Sequence, residues 1–185
     1  MPSLAEAGYC TVSLDGMKSN RRELPPKTDK LLAYLLLDRL NVEQVVDWAV
    51  GSLEAGFDTE AIGMLASMSL GHEPNLYEAK PYLSTALQEL DIFEEHDRES
   101  VLRTYANSIA NQLAAGLVSA TSSLDEIHSA VVVPLNHPAD LMGWCYLWEG
   151  NFADGSFAEM SEDETEREAR AFAAKWLVGP EHNAG

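Results

Sequence analysis

From Thr28 onward, apolar side chains recur every three to four residues along the chain. Residues at this spacing share one face of an α-helix, because the helix turns once in about 3.6 residues. One such row comprises Val42, Val45, Val46, Ala49 and Leu53. Short stretches rich in glycine, proline and polar residues separate successive rows. The pattern predicts an all-α bundle of six to eight helices, built from αα-hairpins with short connections.

The first 27 residues lack the helical period and end near the double proline Pro25-Pro26. The stretch from Tyr9 to Leu14 favours β-structure and predicts a short strand near the N-terminus. We therefore predict an N-terminal arm or strand in residues 1–27, a helical domain in residues 28–178 and a tail in residues 179–185.

Capping residues predict where several helices begin. Asn41 with Gln44 and Ser161 with Glu164 have the spacing of capping boxes. Further predicted caps are Asp58, Ser122 or Ser123, and Asp140. Pro74 is expected in a first turn, and Pro81 is expected to kink or split the helix that contains it, with Tyr82 facing inward. Residues 131–134 interrupt the helical period and are expected to be extended.

Glycine predicts where several helices end, because it readily adopts the left-handed conformation that terminates a helix. Gly56, Gly71, Gly116, Gly150 and Gly179 are the expected stops. The segment from Leu53 to Phe57 recurs sixty positions later as Leu113 to Leu117, which favours two αα-hairpins with the same turn. Either a duplication or the generic character of this helix stop explains the repeat.

Charge is the most informative bulk property. Thirty acidic and twelve basic residues give a net charge of −18. Residues 48–185 alone contain 23 acidic and 6 basic residues, a net charge of −17. Such a surface repels nucleic-acid phosphates and anionic lipids. It favours a basic protein partner, although acidity also maintains solubility by itself. The predicted acidic surface includes Glu162, Asp163, Glu164 and Glu166.

The sequence contains no apolar run near the roughly 20 residues that span a bilayer, and its N-terminus does not resemble a secretory signal. It has two cysteines, Cys10 and Cys145. This usage is typical of a reducing compartment, and we expect a cytoplasmic protein in which Cys145 is a buried free thiol.

Motifs for phosphate binding, serine hydrolysis, zinc proteolysis and dithiol chemistry are missing from the sequence, so no cofactor and no enzymatic role is expected. The candidate metal ligands are His96, Asp125, His128 and His137. Asp125 and His128 lie three residues apart and would share a helix face, but no second motif accompanies them. The alternative prediction is a metal-binding or hydrolytic enzyme centred on His137, His128 or His96.

Aromatic residues are concentrated in one predicted helix. Trp144, Trp148 and Phe152 form a stripe at helical spacing, and Tyr146 points away from it. Such a stripe is typical of a core. It also suits a partner-binding or self-association surface, because Trp and Tyr dominate binding hot spots.

Three segments, Asp47-Trp48-Ala49, Leu53 to Asp58 and Met64-Leu65-Ala66, resemble small, uncharacterised, acidic helical proteins of bacteria. The similarity extends over most of residues 30–178 and implies a helical fold and a bacterial source, but no activity. Proteins of this kind include immunity proteins and chaperones. The leading functional expectation is therefore a protein-binding module that recognises a basic partner. A self-associating structural subunit is a further alternative.

Overall fold

The computed structural model describes residues 24–68, 75–92, 97–152 and 161–179, and for residues 151–152 only the backbone. Within these ranges the chain forms eight α-helices and no β-strand, so the prediction of an all-α bundle is confirmed. The predicted strand at Tyr9–Leu14, Pro74 and Gly71 lie outside the described residues.

The helix boundaries define the element names used below. The helices are α1 (Thr28–Leu36), α2 (Val42–Glu54), α3 (Glu60–Ser67), α4 (Leu76–Glu89), α5 (Arg98–Ala114), α6 (Ala120–Ile127), α7 (Met142–Phe152) and α8 (Glu162–Val178). A π-helical turn, His128–Val132, continues α6 directly, and a 3₁₀ turn, Ala139–Leu141, leads into α7.

The buried residues form two apolar clusters joined through α1. Helices α2, α3 and α4 pack in succession around the first cluster, whose largest member is Trp48. Helices α5 to α8 and the π-helical turn surround the second, whose largest member is Trp144. Leu31 belongs to the first cluster and Ala33 to the second, so opposite faces of α1 contribute to both.

A hydrogen-bonded triad fixes α1 against the second half of the bundle. The hydroxyl groups of Tyr34 and Tyr105 both donate to Glu126 Oε1, each over 2.8 Å. Burial, followed by the hydrogen bond to Glu126, raises the pKa of Tyr34 to about 12. Burial, followed by the same carboxylate, also raises the pKa of Tyr105. Both phenols therefore remain protonated donors at neutral pH.

Two capping predictions are confirmed and three are wrong. The boxes Asn41/Gln44 and Ser161/Glu164 are both formed. Thr59, rather than Asp58, caps α3, because its backbone is extended and its hydroxyl accepts from Ile62 N–H. Ser119 caps α6, whereas Ser122 and Ser123 lie inside that helix. Asp140 lies in the 3₁₀ turn, where its carboxylate contacts the Arg103 guanidinium instead of capping a helix.

Among the residues that the structure describes, five helical segments end in the same hydrogen-bonded motif. In each, a residue with positive φ donates its N–H to the carbonyl three residues back, and the next residue donates to the carbonyl five residues back. This is the Schellman arrangement. The positive-φ residues are Asp38, Gly56, Asp91, Gly116 and Asn136. Of these five helix ends, the sequence predicted only those at Gly56 and Gly116, because Asp and Asn adopt positive φ less often than glycine.

Several other local predictions are wrong. Residues 128–132 continue α6 as a π-helical turn, so the stretch 131–134 is not extended. Pro81 lies within the single helix α4, so the predicted split does not occur, whereas the alternative prediction of a kink stays a prediction. Tyr82 is exposed rather than buried. Helix α7 continues past Gly150 to Phe152. Gly179 does follow α8 with a positive φ, as expected of a helix stop.

In the described part of the chain, no helix combines the length and the apolar character needed to cross a membrane.

Candidate metal centre

Three potential metal ligands converge where the π-helical turn meets α7. His128 begins the π-helical turn, His137 follows that turn, and Cys145 lies one turn into α7. One ligand atom from each residue, an imidazole nitrogen or the Cys145 sulfur, lies within 4.8 Å of the other two. These are ligand types that Zn²⁺ binds in proteins.

The backbone between the two histidines explains how they approach each other. Asn136, with φ of 59°, ends the π-helical turn by a Schellman motif in which His137 N–H donates to the Val132 carbonyl over 3.0 Å. His137 also has positive φ, at 55°. Two successive non-glycine residues with positive φ turn the backbone sharply, and each costs of order 1–3 kcal/mol of conformational strain. Together they direct the segment back towards His128.

The orientation of His128 is fixed by its neighbours in α6 and α7. Its ring stacks on the Trp148 indole, with centroids 3.8 Å apart and planes 9° from parallel. The indole Nε1–H donates to Asp125 Oδ1 over 3.3 Å. The His137 ring meets the His128 ring edge-on at 6.2 Å. Trp148 and Asp125 thus fix the position of the His128 imidazole, and the His137 imidazole lies beside it.

Partial burial favours the metal-binding form of His128. Burial, followed by repulsion from His137, lowers the pKa of His128 below its ordinary value of 6.5. The imidazole is therefore neutral at pH 7, and its ring keeps a nitrogen lone pair. A neutral ring is required of a histidine that binds a metal ion.

Cys145 is a buried free thiol, as the sequence predicted. Burial, followed by the neighbouring Glu149 carboxylate, raises the pKa of Cys145 above its ordinary value. The Cys145 Sγ lies 3.6 Å from Glu149 Oε1. Without a metal ion the residue is therefore a protonated thiol, and a metal ion would have to displace that proton.

The separation of the ligand atoms is compatible with one small cation after modest closure. Tetrahedral Zn²⁺ with bonds of about 2.0–2.3 Å holds its ligand atoms about 3.3–3.6 Å apart. The ligand atoms here lie within 4.8 Å of one another, a limit larger than that separation by about 1.2–1.5 Å. Because His137 is exposed, its ring has room to rotate inward.

The structure brings together two of the four residues predicted as metal ligands. His128 and His137 belong to the cluster. Asp125 lies beside it and accepts the Trp148 hydrogen bond, and His96 is outside the described residues. Sequence reasoning did not identify Cys145 as a ligand, nor Glu149 as the residue that accepts the Cys145 hydrogen bond. The spacing between them, i and i+4 on one helix, was the available signal, but it matches no recognised metal motif.

The aromatic residues predicted to bind a partner have different environments. Trp144 is fully buried, with its ring edge-on to Phe172 at 4.8 Å, which corrects its assignment to a surface. Tyr146 is 65% exposed. Trp148 is half-buried against His128, and the Phe152 side chain is outside the described residues.

The predicted acidic residues lie at the start of α8. Glu162, Asp163 and Glu164 are exposed there. Glu166 is half-buried, accepts from Ala120 N–H over 2.7 Å and pairs with Arg170. Glu166 therefore connects α8 to the first turn of α6, and the other three remain available to solvent.

No protein-family model, curated protein or solved structure matches this chain. The functional interpretation therefore depends on the geometry described above.

Proposed function

We propose that this protein binds a transition-metal ion of the Zn²⁺ class through His128, His137 and Cys145. The observation that supports the proposal is the convergence of two imidazoles and one thiol within 4.8 Å. A thiol with imidazoles selects zinc-like ions, whereas Mg²⁺ and Ca²⁺ prefer oxygen ligands. The neutral state of His128 and the fixed stacking against Trp148 support the same ligand role.

Calorimetric titration of the full chain with Zn²⁺ tests this proposal. We expect one ion per chain for the wild type and a loss of affinity of at least tenfold for Cys145→Ser, His128→Ala and His137→Ala. The matched controls Cys10→Ser and His96→Ala should bind as the wild type does. Equal binding by the wild type and Cys145→Ser, or loss on replacing Cys10, would overturn the proposal.

A second candidate function, a docking site for a basic protein, is supported by the surface between the α5–α6 connection and the first half of α8. Leu117 is 76% exposed and borders a shallow depression lined also by Glu162, Asp163 and the Glu166–Arg170 ion pair. An apolar centre with an acidic rim suits a partner that presents a basic rim. Copurification from a cell extract at two salt concentrations tests this role. A partner retained only at low salt supports it, provided that Leu117→Ser abolishes retention.

A further inference from the structure

We propose that Glu149 is the fourth ligand of this metal centre, so that protein groups occupy all four coordination positions of the bound ion. The inference rests on the proposed metal binding and adds the coordination number and the role of the site. A fourth protein ligand defines a structural centre, whereas a catalytic zinc ion keeps one position open for water or substrate. Glu149 therefore decides between these two classes.

The position of Glu149 is the first argument. It lies four residues after Cys145 in α7, which places both side chains on one face of the helix. Its Oε1 lies 3.6 Å from Cys145 Sγ. A thiolate and a carboxylate on one tetrahedral zinc ion would be separated by about 3.6 Å, given bonds of about 2.3 and 2.0–2.2 Å. This contact is a hydrogen bond from the Cys145 thiol, and its length matches the separation that a shared ion requires. Glu149 is not among the residues whose ligand atoms all lie within 4.8 Å of one another, so its side chain must turn towards the two imidazoles to join them on one ion.

Charge is the second argument. A thiolate and two neutral imidazoles leave one positive charge of Zn²⁺ uncompensated. Cys145 is 4% exposed and His128 is half-buried, so uncompensated charge at this place would be costly. The Glu149 carboxylate supplies the second negative charge and makes the centre neutral.

The connectivity gives the centre a mechanical role. Its four ligands come from the π-helical turn, the segment before the 3₁₀ turn, and α7. The ion would close the intervening chain, including the two residues with positive φ, into one loop. Since metal binding to a folded site adds directly to folding stability, the segment should unfold at higher temperature with metal than without it.

Cobalt(II), used as a spectroscopic probe in place of zinc, tests the fourth ligand. The wild-type chain should show a sulfur-to-cobalt charge-transfer band and strong tetrahedral d–d bands. Glu149→Gln should weaken Co²⁺ binding by at least tenfold and alter the d–d bands, while retaining the sulfur band. Glu54→Gln, which changes an exposed acid on α2, is the matched control and should leave both unchanged.

The outcomes separate the two proposals. Absence of the sulfur band in the wild type would overturn the metal centre itself. A sulfur band with the same affinity and spectrum in Glu149→Gln would overturn only the role of Glu149. If Glu149→Gln does not fold, addition of azide to the wild-type cobalt protein replaces it as the test. Azide would change the spectrum of an open site and overturn the inference, whereas an unchanged spectrum supports four protein ligands.

Discussion

At the scale of single residues, the chemistry of the candidate centre was only partly predictable. His128 and His137 were identifiable because few histidines occur in the chain, and imidazole suits metal ions. Cys145 was interpreted as a core thiol, and its burial is consistent with that. What the sequence did not show is the reversal at Asn136 and His137, which brings residues 17 positions apart within 4.8 Å. Asn and His are enriched among non-glycine residues with positive φ, but this preference does not specify that two successive residues adopt that conformation.

Metal affinity should depend on pH through Cys145. Its pKa is raised above the ordinary thiol value, so near pH 7 each bound ion displaces one thiol proton. Apparent affinity for Zn²⁺ should therefore rise about tenfold per pH unit between pH 6.5 and 8. Calorimetry in two buffers of different ionisation enthalpy measures the protons released. A release near zero with pH-independent affinity would show that the thiol is not a ligand.

At the scale of helices and turns, the start of a helix was predicted correctly where a complete capping box is present. It was missed where a single side-chain hydroxyl caps the helix without a reciprocal partner. Asn41 and Ser161 were identified because a side chain three residues later reciprocates the cap. Ser119 has no such partner, and the first turn of α6 is instead completed by Glu166 of α8. That contact is tertiary, and a local sequence window does not contain it.

The cap of α6 provides a direct test of this boundary. Ser119→Ala should lower the free energy of unfolding by about 1 kcal/mol, because the Ser122 N–H loses its acceptor. Ser122→Ala, an exposed serine within the same helix, should change it by less than about 0.5 kcal/mol. Urea denaturation measures both variants. A larger loss of stability for Ser122→Ala than for Ser119→Ala would place the start of α6 at Ser122, as the sequence predicted.

The packing of α7 on α8 depends on a glycine. A Cβ at Gly143 would clash with Phe172 Cζ, so Gly143→Ala must displace that ring. We expect destabilisation of about 1–3 kcal/mol. A Cβ added at Gly63 in α3 would meet no atom within 4 Å. Gly63→Ala should therefore stabilise the protein by about 0.5–1 kcal/mol. Thermal unfolding compares the two variants, and equal shifts would contradict the close α7–α8 contact.

At the scale of the whole molecule, the helical class was predictable and the arrangement was not. The apolar period from Thr28 onward predicted an all-α bundle of six to eight helices, and the described residues form eight. It did not show that the core divides in two, with α1 contributing Leu31 to one part and Ala33 to the other. A period identifies which face of a helix is buried, but α1 has two buried faces, and their partners are distant in sequence.

The net charge of −18 should make the stability of the whole fold depend on ionic strength. Repulsion among surface carboxylates opposes compaction, and salt reduces the screening length from about 30 Å at 0.01 M to about 8 Å at 0.15 M. We expect the melting temperature to rise when NaCl is added over this range in the presence of a chelator. A melting temperature that falls with salt would indicate that attractive ion pairs dominate instead.

Zinc-edge X-ray absorption of the metal-loaded full chain tests the metal centre most directly, because it identifies the atoms bound to the ion. We expect one sulfur at about 2.3 Å and three nitrogen or oxygen atoms at about 2.0–2.2 Å, with the sulfur lost in Cys145→Ser. A first shell made only of oxygen and nitrogen in the wild type would contradict it, since Cys145 would then have no part in binding.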